Sequence, residues 1–211
     1  MSLKIKICGM REPENITDVA ALNPDLMGFI FYPASPRYTG LTLNTETLHK
    51  ISPSIIKTGV FVNEDFKTIV RIIENFQLDC VQLHGRETPD LCFRLKETGI
   101  NVIKAFSISE EHNFKKCSDF ISCTDYFLFD TSVSGFGGSG QKFNWKELKN
   151  YDPDHPFFLS GGIAPDDYSA INEIDNPSFY GIDLNSRFEI KPGLKDTAIL
   201  GKFITEIRRN D

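Results

Sequence analysis

Cys8, Arg37, His84, Asp130 and the pair Gly161-Gly162 each end or follow a short run of apolar residues. A cysteine and an aspartate can take and give protons when their surroundings separate their pKa values. Cys8 closes Lys4-Ile5-Lys6-Ile7-Cys8, and strand alternation puts Lys4 and Lys6 on its face. Lys6 there could help hold a thiolate, whose thiol otherwise titrates near about 8.5. The plainer readings are a packed structural cysteine and a solvated Lys6 near the floor of the fold. Asp130 closes Tyr126-Phe127-Leu128-Phe129, where a carboxylate needs a partner, a hydrogen bond or water. Its competing reading is a cap for the next loop. Arg37, in Pro33-Ala34-Ser35-Pro36-Arg37, sits in a loop stiffened by two prolines, and a held guanidinium suits bidentate carboxylate recognition. A plain surface arginine is the alternative. His84, beside Gly85, reads equally as a catalytic or a structural hydrogen-bonding residue.

Gly161-Gly162, with Asn185-Ser186-Arg187 after the following apolar run, reads as a phosphate cup. Glycines let backbone N–H groups approach an anion closely, and a helix starting after residue 185 would add its dipole. A phosphorylated ligand is expected. Asp183 and Gly138, the latter within Ser134-Gly135-Phe136-Gly137-Gly138-Ser139-Gly140, join His84 as candidate substrate contacts. The four histidines (49, 84, 112 and 155) form no pairs, so no metal site is expected.

Positioning these residues requires a repeated element pattern. Strands are expected at 4–8, 26–32, 55–62, 80–84, 102–106, 126–130, 157–160 and 179–183, several as near-continuous apolar runs that suit a parallel sheet covered on both faces. Helices are expected at 14–22, 45–51, 65–76, 88–97, 110–122, 166–173 and 197–209, with Pro13, Pro89 and Pro165 at helix starts. The helix between the sixth and seventh strands is weakly marked, with only residues 145–150 available. This alternation predicts an α/β fold, a single (β/α)8 TIM barrel over residues 1–211, with a doubly wound open sheet as the competitor. In such a barrel the chemistry lies where strands end, which is where the polar and glycine residues concentrate.

Composition narrows the rest. The 211 residues are 40% hydrophobic with eighteen Phe, enough to bury a core and to exclude disorder. A net charge of −6 excludes nucleic acid and anionic membranes as expected partners, so local positive groups must hold any anionic substrate. No run reaches the ~18 apolar residues of a membrane span, and the first residues lack a signal-peptide core. Five cysteines without a Cys-x-x-Cys pair argue against a disulfide framework and for a cytoplasmic protein with small buried thiols.

Lys6-Ile7-Cys8-Gly9-Met10-Arg11, Gly28-Phe29-Ile30-Phe31, Ser35-Pro36-Arg37, Gly59-Val60-Phe61-Val62-Asn63, Val81-Gln82-Leu83-His84-Gly85, Gly137-Gly138-Ser139-Gly140, Leu159-Ser160-Gly161-Gly162 and Lys191-Pro192-Gly193-Leu194-Lys195-Asp196 occur in order along the chain. Together they resemble the phosphoribosylanthranilate isomerase family of tryptophan biosynthesis. The resemblance implies a small (β/α)8 barrel that performs an Amadori rearrangement of N-(5-phosphoribosyl)anthranilate without metal or organic cofactor. It also implies Cys8 as general base, Asp130 as general acid, Arg37 on the anthranilate carboxylate, and loops seven and eight on the phosphate. The partner is then a small phosphorylated aminoribose carrying a carboxylate, for a monomer or homodimer. Where the family commonly reads Asp-Val-Ser-Ser-Gly, this chain has Asp183-Leu184-Asn185-Ser186-Arg187. Arg187 then either adds a phosphate contact or points to solvent. The competing functions are another sugar-phosphate barrel isomerase or epimerase, and a non-catalytic phosphate-ligand binding subunit.

Overall fold

The computed structural model describes residues 2–40, 42–108, 114–130 and 145–209. Eight parallel strands close into a barrel in chain order: β1 (Lys4–Cys8), β2 (Leu26–Ile30), β3 (Ile56–Phe61), β4 (Cys80–Leu83), β5 (Asn101–Ser107), β6 (Tyr126–Asp130), β7 (Phe157–Ser160) and β8 (Phe179–Leu184). The ring closes by pairing β1 with β8, Lys6 opposite Asp183. The (β/α)8 expectation holds and the open sheet does not.

Alternation along each strand sorts the side chains into two sets. The odd set of β1, Ile5 and Ile7, joins Met27, Phe29, Phe61, Val81, Leu83, Phe127, Phe129 and Leu184 in the large core outside the ring. Helices α1 (Pro13–Ala20), α2 (Thr45–His49), α3 (Phe66–Phe76), α4 (Pro89–Lys96), α5 (Tyr168–Asn172) and α6 (Thr197–Arg209) are the α-helices among the described residues. The other set faces the axis. Leu26, Cys80, Ile103, Ala105, Leu128 and Phe158 fill the ring, with Tyr126 and Tyr180 packed against them. Tyr126, Phe158 and Tyr180 make a ring triangle with centroids 4.8–5.7 Å apart. All five cysteines are free and buried.

Four expectations need correction. The helix expected at 110–122 is a 3-10 segment, Phe114–Cys123, among the described residues, and the weakly marked helix at Trp145–Asn150 is also 3-10. Pro165 does not open a helix, because α5 begins at Tyr168. No α-helix follows β8 directly; a three-residue 3-10 turn, Ser186–Phe188, leads into a hairpin, β9 (Glu189–Lys191) and β10 (Leu194–Lys195). The dipole expected behind loop eight is therefore that of a single 3-10 turn and not of an α-helix. Short polar strands around Pro192-Gly193 carry little apolar periodicity, which is why the hairpin escapes a sequence reading.

Candidate active site

The C-terminal ends of the strands form one mouth. Cys8 ends β1, only 3% exposed, and Lys6 below it is fully buried. Lys6 is thus no solvated floor charge; that place is taken by Lys4, paired with Asp25 at 2.9 Å. Lys6 Nζ donates to Asp183 Oδ1 at 2.7 Å, and Ser160 Oγ donates to Asp183 Oδ2 at 3.2 Å. Gly28 on β2 makes room for this. A Cβ there would lie 2.8 Å from Cys8 Sγ, closer than side chains tolerate, and a tight 3.2 Å from Lys6 Nζ. Gly28 O also accepts from Gly9 and Met10 N–H, turning the chain sharply after Cys8.

The electrostatics of this group are mixed. Burial pushes the Cys8 thiol above its usual range, and Lys6 pulls against it; Asp183 adds to the upward push, and Lys195 opposes it. Burial also works against the Lys6 charge, yet Asp183 and Cys8 together hold its proton more tightly than usual. The resting pair is a thiol beside an ammonium, and loss of the thiol proton creates the ion pair that Lys6 is placed to stabilise.

Across the mouth, His84 Nε2 lies 3.4 Å from Asp130 Oδ2. The Gln82 side-chain nitrogen is 2.8 Å from His84 Nδ1. An amide N–H donating there leaves the imidazole proton on Nε2, facing Asp130. Behind them Lys104 Nζ reaches Glu87 Oε2 at 3.0 Å and the carbonyls of Leu83, Gly85 and Ala105, fixing the turn that carries His84.

Arg37 sits beside Gly9 and Asn185. Gly9 has φ +78°, and a Cβ on it would lie 2.7 Å from Arg37 Cδ and 2.8 Å from Asn185 Oδ1. The guanidinium is held by Glu189, through Nε to Oε1 (2.9 Å) and Oε2 (3.0 Å) and through Nη2 to Oε2 (2.6 Å). Lys195 Nζ donates to Glu189 Oε1 and to Asn185 Oδ1, both at 2.8 Å. Gly161 and Gly162 both have positive φ, +93° and +71°. Ser186 and Arg187 are exposed. Gly138 and the rest of loop six lie outside the described residues.

The structure therefore brings Cys8, Lys6, Ser160 and Asp183 together, places His84 beside Asp130, and puts Arg37 near Asn185. Glu189, Lys195 and Gln82 were given no role in the sequence reading. Lys195 lies in a motif that carried the resemblance, but its burial depends on contacts across the fold. Among the described residues no three of His, Cys, Asp or Glu are grouped to hold a metal ion, and no helix is long and apolar enough to cross a membrane.

A closed eight-stranded parallel barrel with titratable side chains at its C-terminal mouth and glycines after strand seven has the architecture of a (β/α)8-barrel enzyme. Comparison makes this particular. The family model described as N-(5'phosphoribosyl)anthranilate (PRA) isomerase matches residues 5–206, and the chain belongs to that family. The N-(5'-phosphoribosyl)anthranilate isomerase of Parabacteroides distasonis is 45% identical over 96% of this chain and 92% of its own. The crystal structure of phosphoribosyl anthranilate isomerase from Thermotoga maritima superposes with a TM-score of 0.84 at 32% identity, covering 98% of this chain and 99% of that one. Another such isomerase, in complex with reduced 1-(o-carboxyphenylamino)-1-deoxyribulose 5-phosphate, superposes with a TM-score of 0.81 at 29% identity, covering 98% of this chain and 99% of that one. The chain is an isomerase of tryptophan biosynthesis.

Proposed function

We propose that this chain converts N-(5-phosphoribosyl)anthranilate to 1-(2-carboxyphenylamino)-1-deoxyribulose 5-phosphate with Asp130 as general acid and Cys8 as general base. Asp130 gives its proton to the ring oxygen as the C1–O bond breaks and the anilino nitrogen lone pair forms the Schiff base. The Cys8 thiolate takes the C2 proton, and the C–H electrons become the C1–C2 double bond of an enaminol. Solvent supplies the proton at C1 and takes the C2 hydroxyl proton to complete the ketone, and proton exchange with solvent returns Cys8 to thiolate and Asp130 to acid, so atoms and charge balance. Arg37 takes the anthranilate carboxylate, and Gly161, Gly162, Asn185 and Ser186 take the phosphate. Asp183, His84 and Gly138 complete the substrate contacts, the work of one domain in the cytoplasm.

The observation that carries this reading is the buried Cys8–Lys6–Asp183 group ending β1 and β8, in the same mouth as Asp130 at the end of β6. The reduced product bound by a relative supports a carboxylated sugar phosphate as ligand. Phosphoribosylanthranilate generated in situ and followed by its fluorescence tests it. Wild type should accelerate the loss, and Cys8→Ser and Asp130→Asn should each lower kcat by about 10²–10⁴-fold while still binding the reduced product. Activity surviving either substitution removes that residue's role. A folded wild type that gives no acceleration overturns the proposal.

A further inference from the structure

The hairpin after β8 carries neither of the proposed acid–base residues, yet it buries two charged side chains against Arg37. Side chains of Glu189 and Lys195 are 3% and 0% exposed, while that of Arg37 is 18% exposed. Asn15 on α1 pins the hairpin, donating to Lys195 O at 3.0 Å and accepting from Lys195 N at 2.7 Å.

Counting donors and acceptors shows where capacity remains. Lys195 has three protons, and Glu189 Oε1, Asn185 Oδ1 and Asn185 O (3.3 Å) take them. Both Glu189 oxygens are engaged, Oε1 by Lys195, Arg37 Nε and Gly193 N–H (3.1 Å), and Oε2 by Arg37 Nε and Nη2. Among the described residues, Arg37 makes side-chain hydrogen bonds through Nε and Nη2 and none through Nη1. One edge of the fork is clamped and the other is presented. Burial works against the Glu189 charge, but Arg37 and Lys195 outweigh it and hold the carboxyl below its usual range, so it is an anion. Arg37, Lys195 and Glu189 together carry one excess positive charge when both bases are protonated, the complement of one carboxylate.

We propose that Glu189 is the positioning residue for recognition of the ligand's carboxylate. It holds Arg37 so that the Nη1 edge faces the ligand, and Lys195 ties that clamp to Asn185 in loop eight. The inference rests on Arg37 being the carboxylate residue of the proposed function. The Lys191–Asp196 motif then fixes the distance between the carboxylate-binding and phosphate-binding ends of the site.

Two stable probes test it: reduced 1-(o-carboxyphenylamino)-1-deoxyribulose 5-phosphate and the same compound made with aniline, which lacks the carboxylate. Wild type should bind the first far more tightly than the second. Glu189→Gln keeps the shape and removes the charge. It should weaken the carboxylated probe about tenfold or more, the scale of a charge-assisted hydrogen bond, and leave the aniline probe within about twofold. Unchanged or tighter binding of the carboxylated probe overturns the proposal. Equal weakening of both probes also overturns it, since that is general damage to the site. Wild type binding both equally removes the carboxylate role of Arg37 and the proposal with it, and wild type binding neither removes the ligand assignment itself.

Discussion

Two buried lysine–carboxylate pairs make an instructive contrast. Lys104 and Glu87, at 3.0 Å, sit behind the β4–α4 turn; Lys6 and Asp183, at 2.7 Å, sit on the barrel axis. Lys104 has four acceptors within reach for three protons, and Glu87 also accepts from Asn63 and Gly85 N–H. Every lone pair that matters there is used, so the pair is an anchor. Lys6 has one carboxylate oxygen and, beside it, a thiol. Its spare capacity points at a group able to change protonation state. Burial is nearly equal in the two places, and what separates anchor from chemistry is how completely the charge is already satisfied.

The largest effect should come from Lys104→Met, which strands the Glu87 carboxylate in the interior and should cost about 3–5 kcal/mol in urea unfolding. Adding Glu87→Gln removes the second charge while keeping acceptors for Asn63 and Gly85. The double variant should regain part of that loss, and a double variant no more stable than the single one would break the view of Lys104 as an anchor.

On the axis the effect should appear in pH dependence. In the proposed role of Cys8 as base only its unprotonated form is active, so kcat/KM should fall as pH drops through its raised pKa. Asp183 contributes to that raising. Asp183→Asn removes an upward push and should move the limb to lower pH. A limb that stays in place would separate Cys8 from the Lys6–Asp183 pair.

The smallest effect calibrates the others. Glu46 and Lys50 form an i,i+4 pair at 3.2 Å with side chains 83% and 61% exposed. Glu46→Ala should change stability by about 0.3–0.5 kcal/mol at most, near the resolution of chemical denaturation.

The sequence made the ring legible because each strand is an apolar run bounded by turn residues, and predicted strand limits fall within two residues of those observed. Strand parity put Lys6 and Cys8 on one face, but only ring closure makes that face the dry axis. Lys6 meets Asp183 across 177 positions, and Arg37 meets Glu189 across 152. No local pattern encodes contacts so far apart, and for that reason Glu189 and Lys195 went unread. Helix signals failed where 3-10 turns replaced α-helix at Phe114–Cys123 and Trp145–Asn150.

The β1–β8 seam has a consequence for the order in which the protein matures. Cys8 and Lys6 leave the ribosome well before Asp183, Glu189 and Lys195, which follow more than 170 positions later. Until the final strand and hairpin emerge, Lys6 has neither its carboxylate nor a dry environment, and the mouth has no fixed guanidinium. Contacts this distant along the chain form late, after the loop entropy between them has been overcome. A nascent or truncated chain ending before residue 183 lacks the carboxylate that pairs with Lys6. Competence thus arrives in one step, with the stitch that joins β1 to β8.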